Sequence, residues 1–104
     1  MLPGRSLALV LTLVAGAVPA HAATIQIVME NLVFVPAEVS AKVGDTIEWV
    51  NKDVFVHSAT ARNGDFDINQ PPKKTVTSVL QKAGTVDYYC RFHPNMKGVL
   101  KIVP

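Results

Sequence analysis

The chain has 104 residues, with ten Lys+Arg against eight Asp+Glu, one cysteine and a formal net charge of +2. So small a charge excess, with no basic run longer than Lys73-Lys74, excludes a nucleic-acid-binding surface. A lone cysteine excludes an internal disulfide.

The first 22 residues read as a secretory signal peptide. Arg5 precedes an uncharged apolar run at 7–18, and Pro19 with Ala20-His21-Ala22 supplies a small-residue cleavage site. The run is shorter than the roughly 18 residues of a membrane span, and no second long apolar stretch follows. The sequence therefore predicts a periplasmic protein, exported and without a membrane span, whose mature chain is residues 23–104. Loss of Arg5 leaves nine Lys+Arg against eight Asp+Glu, close to neutral. A single domain of this size buries only about 60% of its unfolded surface. Without a disulfide, a bound metal is the expected staple.

The mature segments are short, rich in β-branched residues and punctuated by turn residues at 44–45, 63–64, 71–72 and 83–84. They predict strands at 24–29, 37–43, 46–51, 54–60, 74–80, 84–90 and 98–103, an all-β sandwich or barrel with no long amphipathic helix. Side chains two apart on a strand share a face. Ile47 and Trp49 therefore carry Asn51 inward at the end of one strand, and Val86 and Tyr88 carry Cys90 inward at the end of another. Phe55 shares the parity of His57. Met29 takes the apolar parity of its strand as packing, and Tyr88 is placed to bond back to the turn near Ala83, as in a tyrosine corner.

The stretch "YYCRFHPNM" sets Cys90, His93 and Met96 three positions apart. With the signal removed, His57 and His93 are the only histidines, and Met96 is one of two methionines. Two imidazoles and a thiolate, with a thioether as a weak fourth donor, select copper over hard cations. Soft sulfur donors suit Cu(I) and imidazoles suit Cu(II), so such a site changes oxidation state with little movement. Pro94 stiffens the turn that brings three of the donors to one point, and His57 must arrive from a distant strand.

These residues resemble the cupredoxins, or type 1 blue copper proteins, over essentially the whole mature chain. "FVPAEVSAKVGDTIEWVNKDVFVHSAT" is similar to the family's stretch ahead of its first ligand histidine, and "GTVDYYCRFHPNMKGVLKIV" to its ligand loop and last strand. The C-x2-H-x2-M contraction, with Pro94 after the histidine and Gly98 two after the methionine, is most similar to the amicyanin branch among amicyanin- and plastocyanin-like members. The resemblance implies a Greek-key β-sandwich of seven to eight strands and one copper per chain. It implies His57 and His93 as imidazole ligands, Cys90 as thiolate, Met96 as axial ligand, and Asn51 hydrogen-bonded near the cysteine sulfur. A cap on the turn before Lys52-Asp53 is the less favoured role for Asn51.

The expected function is transient electron transfer between a donor and an acceptor redox protein, by a monomer and not by an enzyme, since side chains fill every coordination position. The expected electron port is the edge of His93, within a patch that includes Phe92 and Pro94, while Arg91 and Lys97 bracket the loop and could steer an acidic partner. A copper storage or delivery protein is the rival reading, although more Met or Cys would be expected of one. A thiol enzyme built on Cys90 leaves Met96 and the second histidine unused.

Overall fold

The computed structural model describes residues 21–104, so all but the last two residues of the expected signal peptide lie outside the described chain. Among the described residues nine strands form two sheets. β1 (Thr24–Glu30), β2 (Val33–Val35), β4 (Thr46–Asn51) and β7 (Thr75–Val79) make one, in the order β2-β1-β4-β7. β3 (Glu38–Lys42), β5 (His57–Ala61), β6 (Asp67–Gln70), β8 (Gly84–Tyr89) and β9 (Lys97–Val103) make the other, in the order β3-β9-β8-β5-β6. The all-β sandwich matches the sequence reading. Among the described residues no helix is long and apolar enough to cross a membrane.

Alternation builds the core. Along β4 the buried residues are Ile47, Trp49 and Asn51, and along β8 they are Val86 and Tyr88, followed by Cys90. Phe34, Trp49 and Tyr88 meet edge to face, with Tyr88 4.8 Å from Phe34 and 5.3 Å from Trp49 between ring centroids, an arrangement that the ring quadrupoles favour. Met29 is fully buried and sits beside Asn51 in the parallel β1–β4 pair, as core packing just below the sandwich end that carries Cys90.

Four features differ from the sequence reading. β2 was not anticipated; it follows a two-residue turn in which Asn31 and Leu32 both have positive φ, 56° and 63°. This is the primed turn that suits a hairpin's twist, but "NL" lacks the glycine that usually announces it. β6 was also missed, because "DINQ" is poor in β formers; it survives as an edge strand paired with β5. β5 starts at His57 and not at residue 54. The Asn51 amide donates to Phe55 O (2.9 Å) and its Oδ1 accepts from Asp53 N (2.9 Å), closing a turn over 52–56 that leaves Phe55 half exposed. Finally, the Tyr88 hydroxyl makes no tyrosine-corner bond: it is buried without a hydrogen-bond partner among the described residues, and burial raises its pKa above the ordinary phenol value. Its ring covers Gly98, its cross-strand neighbour, where a Cβ would collide with it.

Candidate metal centre

His57 opens β5, and Cys90 follows the last residue of β8, so both side chains leave neighbouring strands at the same end of the sandwich. The loop from Cys90 to Met96 is closed at its base by Cys90 N donating to Met96 O (3.1 Å) and inside by Met96 N donating to His93 O (2.9 Å). That second bond turns His93 back over the cysteine.

Three donor atoms converge there. His57 Nδ1 and His93 Nδ1 are 3.1 Å apart, and Cys90 Sγ lies 3.7 Å from the first and 3.8 Å from the second. A point equidistant from the corners of that triangle is about 2.1 Å from each, inside the roughly 2.0–2.3 Å of zinc bonds to imidazole and thiolate, zinc being copper's first-row neighbour. Three donors so placed fit one such ion between them, and their softness fits copper. His57 and Cys90 are fully buried, Met96 is 1% exposed at the foot of the loop, and His93 is only half buried.

The surroundings fix these groups. Ser58 N donates to Cys90 Sγ at 3.4 Å, and Ser58 Oγ accepts from Arg91 N at 2.9 Å, so one serine ties β5 to the sulfur and to the loop. Asp53 Oδ2 lies 2.8 Å from His57 Nε2. A carboxylate can only accept, so Nε2 carries the proton and Nδ1 is left as the donor for a metal. Asp53 also accepts from Asn31 N (2.9 Å) and Leu32 N (3.1 Å). Partial burial pushes its carboxyl pKa up, but the bonds from His57, Leu32 and Asn31 outweigh that and hold it below the ordinary carboxylate range.

The remaining expected residues fall as follows. Asn51 does not bond the sulfur; Ser58 N does. Asn51 Nδ2 reaches Phe55 O, Gln70 O and Pro71 O at 2.9 to 3.2 Å, so it caps the turn and ties together the segments flanking His57. Parity brought it inward, but only Gln70 O among its partners lies in a strand, the unanticipated β6; the others belong to the turn at 53–55 and to Pro71. Arg91 is not a free charge: its Nε is 3.0 Å from Asp67 Oδ1, and its guanidinium lies 5.1 Å from the Phe92 ring centroid. Phe92, Pro94 and Lys97 are exposed around the loop. Asp53, Ser58 and the exposed Phe55, whose ring is 5.7 Å from that of His93, were missed by the sequence reading. Gln70 was missed as well. It pairs with His57 across β5–β6, and its buried amide has no protein partner among the described residues. None of the four carries a local motif.

Comparison with known proteins agrees with this geometry. The family model described as a cupredoxin-like domain matches residues 5–102. The chain belongs to the cupredoxins. It is 32% identical over 98 residues to the methylamine utilization protein MauL of Methylorubrum extorquens, covering 90% of this chain and 86% of that protein. It is 31% identical over 87 residues to amicyanin of Paracoccus versutus, covering 78% of this chain and 64% of that protein's length. For amicyanin of Paracoccus denitrificans the share of that protein's length is 51%. The crystal structure of the P. versutus amicyanin superposes with a TM-score of 0.65 at 29% identity, over 85% of this chain and 87% of that one. A copper-containing nitrite reductase from Thermus scotoductus superposes with a TM-score of 0.70 at 25% identity, over 86% of this chain but only 24% of that one. The shared fold therefore serves both small proteins and parts of enzymes, and the site must decide the function.

Proposed function

We propose that this cupredoxin is an electron carrier: His57, Cys90 and His93 hold one copper ion, Met96 is the weak fourth donor, and single electrons pass between larger redox proteins. Copper supplies a one-electron Cu(II)/Cu(I) couple when bound. The observation that carries this reading is the donor triangle, closed at 3.1, 3.7 and 3.8 Å by residues from β5 and the 90–96 loop. The loop's backbone bonds and the Ser58 contacts hold those donors in one geometry that need not change with oxidation state. A held geometry suits repeated electron exchange. It suits release of the ion poorly, which disfavours storage or delivery. Burial of His57, Cys90 and Met96, three of the four donors, supports a carrier over an enzyme.

His93 is the port in this reading, because it is the half-buried donor while His57 is enclosed. Phe55, Phe92 and Pro94 surround that edge with apolar surface, which suits brief docking. Lys97 is the remaining loop charge for steering a partner, since Arg91 is engaged by Asp67.

Export is part of the proposal, with cleavage after Ala22. Ala23 N lies 2.8 Å from Asp45 Oδ1, and Asp45 is 3% exposed. Cleavage of the Ala22–Ala23 peptide bond would turn that amide donor into an ammonium facing a buried carboxylate, which supports cleavage there.

Protein-film voltammetry of the copper-loaded protein tests the carrier reading. A reversible one-electron wave with fast exchange is expected; bound copper that gives no reversible wave would favour storage.

A further inference from the structure

Asp53 joins two features that the carrier reading leaves unconnected. On one side its carboxylate accepts from His57 Nε2. On the other it accepts from the successive N–H groups of Asn31 and Leu32 in the β1–β2 turn. Two consecutive residues with positive φ turn their N–H groups to one side and form a nest for an anion. Leu32 adopts a conformation that disfavours residues with a Cβ, so the nest is held against local preference. The Asp53 side chain is 12% exposed and that of His57 is fully enclosed, so little solvent screens the pair.

We propose that Asp53 is the positioning residue of the metal centre: seated in the 31–32 nest, it fixes the His57 tautomer and, through the imidazole, biases the site toward Cu(II). The proposal rests on the copper reading above. A metal-binding histidine whose second nitrogen donates to a carboxylate is oriented by that bond and becomes a stronger donor. Cu(II) carries one more positive charge than Cu(I), so a negative charge one ring away stabilises it more. The sign follows: neutralising Asp53 raises the reduction potential. His93 serves as an internal comparison, because no carboxylate bond to its ring is found among the described residues.

Asp53→Asn keeps an oxygen for the nest and removes the charge. Loss of such a partner costs roughly 10–100-fold in metal affinity. If Cu(II) affinity falls tenfold more than Cu(I) affinity, the potential rises by about 59 mV. The test combines potentiometry of the copper-loaded native and Asp53→Asn proteins with nitrogen-15 NMR of the imidazoles in the metal-free proteins. The expected result is a rise corresponding to tenfold or more in Asp53→Asn, an Nε2–H tautomer at His57 in the native protein, and recovery of the native potential in Asp53→Glu. An Asp53→Asn protein that is blue with an unchanged potential, or a native protein with an Nδ1–H tautomer at His57, overturns the proposal. A native protein that binds no copper would sink the carrier reading instead, and the metal-free NMR would still judge Asp53. Should Asp53→Asn fail to fold, the native spectrum decides, since an Nδ1–H tautomer there contradicts the assignment.

Discussion

Gly98→Ala is expected to destabilise the domain, although alanine is ordinarily the better strand residue by about 0.5–1 kcal/mol. Gly98 opposes Tyr88 across the β8–β9 pair. A Cβ there would stand 2.7 Å from Tyr88 Cε1 and closer still to Cζ and Oη. Neither side can give way cheaply. The ring is fully buried between Phe34 and Trp49, and β9 is hydrogen-bonded to β8 on one side and β3 on the other. Overpacking of this kind costs roughly 1–3 kcal/mol, so a net loss of about 1–2 kcal/mol is expected once the backbone preference is credited. For a domain of this size each kcal/mol shifts Tm by about 4–8 °C. The metal-free variant should therefore melt roughly 4–16 °C lower by circular dichroism. Gly98 lies two residues beyond Met96, so the visible spectrum of the copper form should shift as well. A double-mutant cycle with Tyr88→Leu should show strong coupling. A Tm within about 2 °C of the native value would refute the steric argument.

Copper should raise Tm by mass action, because donors from β5 and the 90–96 loop are brought together only in the folded chain; at a hundredfold excess over Kd the gain is about 2.7 kcal/mol. Calorimetry with and without copper checks this, and equal melting temperatures would contradict it. Asp45 predicts an acid-sensitive clamp. Bonds from Ala23 N and Lys42 N lower its pKa against a smaller opposing effect of burial. Its contribution is therefore fully present above the ordinary aspartate value of about 3.9 and is lost as pH falls through the lower folded value. Asp45→Asn should be less stable at pH 7 and should lose less stability than the native protein between pH 5 and 3 in urea titrations; parallel profiles would contradict this. Phe55→Ala and Phe92→Ala should slow electron exchange with a redox partner while leaving the absorption spectrum of the copper form unchanged, measured by stopped flow.

What the sequence revealed was local. Cys90, His93 and Met96 lie within one loop, and the alternation that turns Asn51 and Cys90 inward runs along single strands, so spacing and parity were enough to find them. His57 was found by elimination, as the only other histidine once the expected signal peptide is set aside. Contacts between distant segments were not legible. Asp53 meets Asn31 22 residues away, and Ser58 meets Cys90 across 32 residues; no periodicity encodes either. Parity placed Asn51 inward but could not supply its partners, because Gln70 O belongs to an edge strand whose composition argues against a strand. Phe55 shows the converse. Its parity with His57 suggested a shared buried face, but the turn closed by Asn51 ends strand geometry before residue 57 and leaves the ring at the surface.

In the proposed centre the Cys90 thiolate and two imidazoles hold copper in one trigonal set. Visible absorption and electron paramagnetic resonance of the purified protein with one equivalent of Cu(II) test it most directly, with Cys90→Ala alongside. An intense blue colour from thiolate-to-copper charge transfer, with narrow copper hyperfine splitting, is expected in the native protein, and neither in Cys90→Ala. A pale native complex with wide hyperfine splitting, or a variant that stays blue, would contradict it.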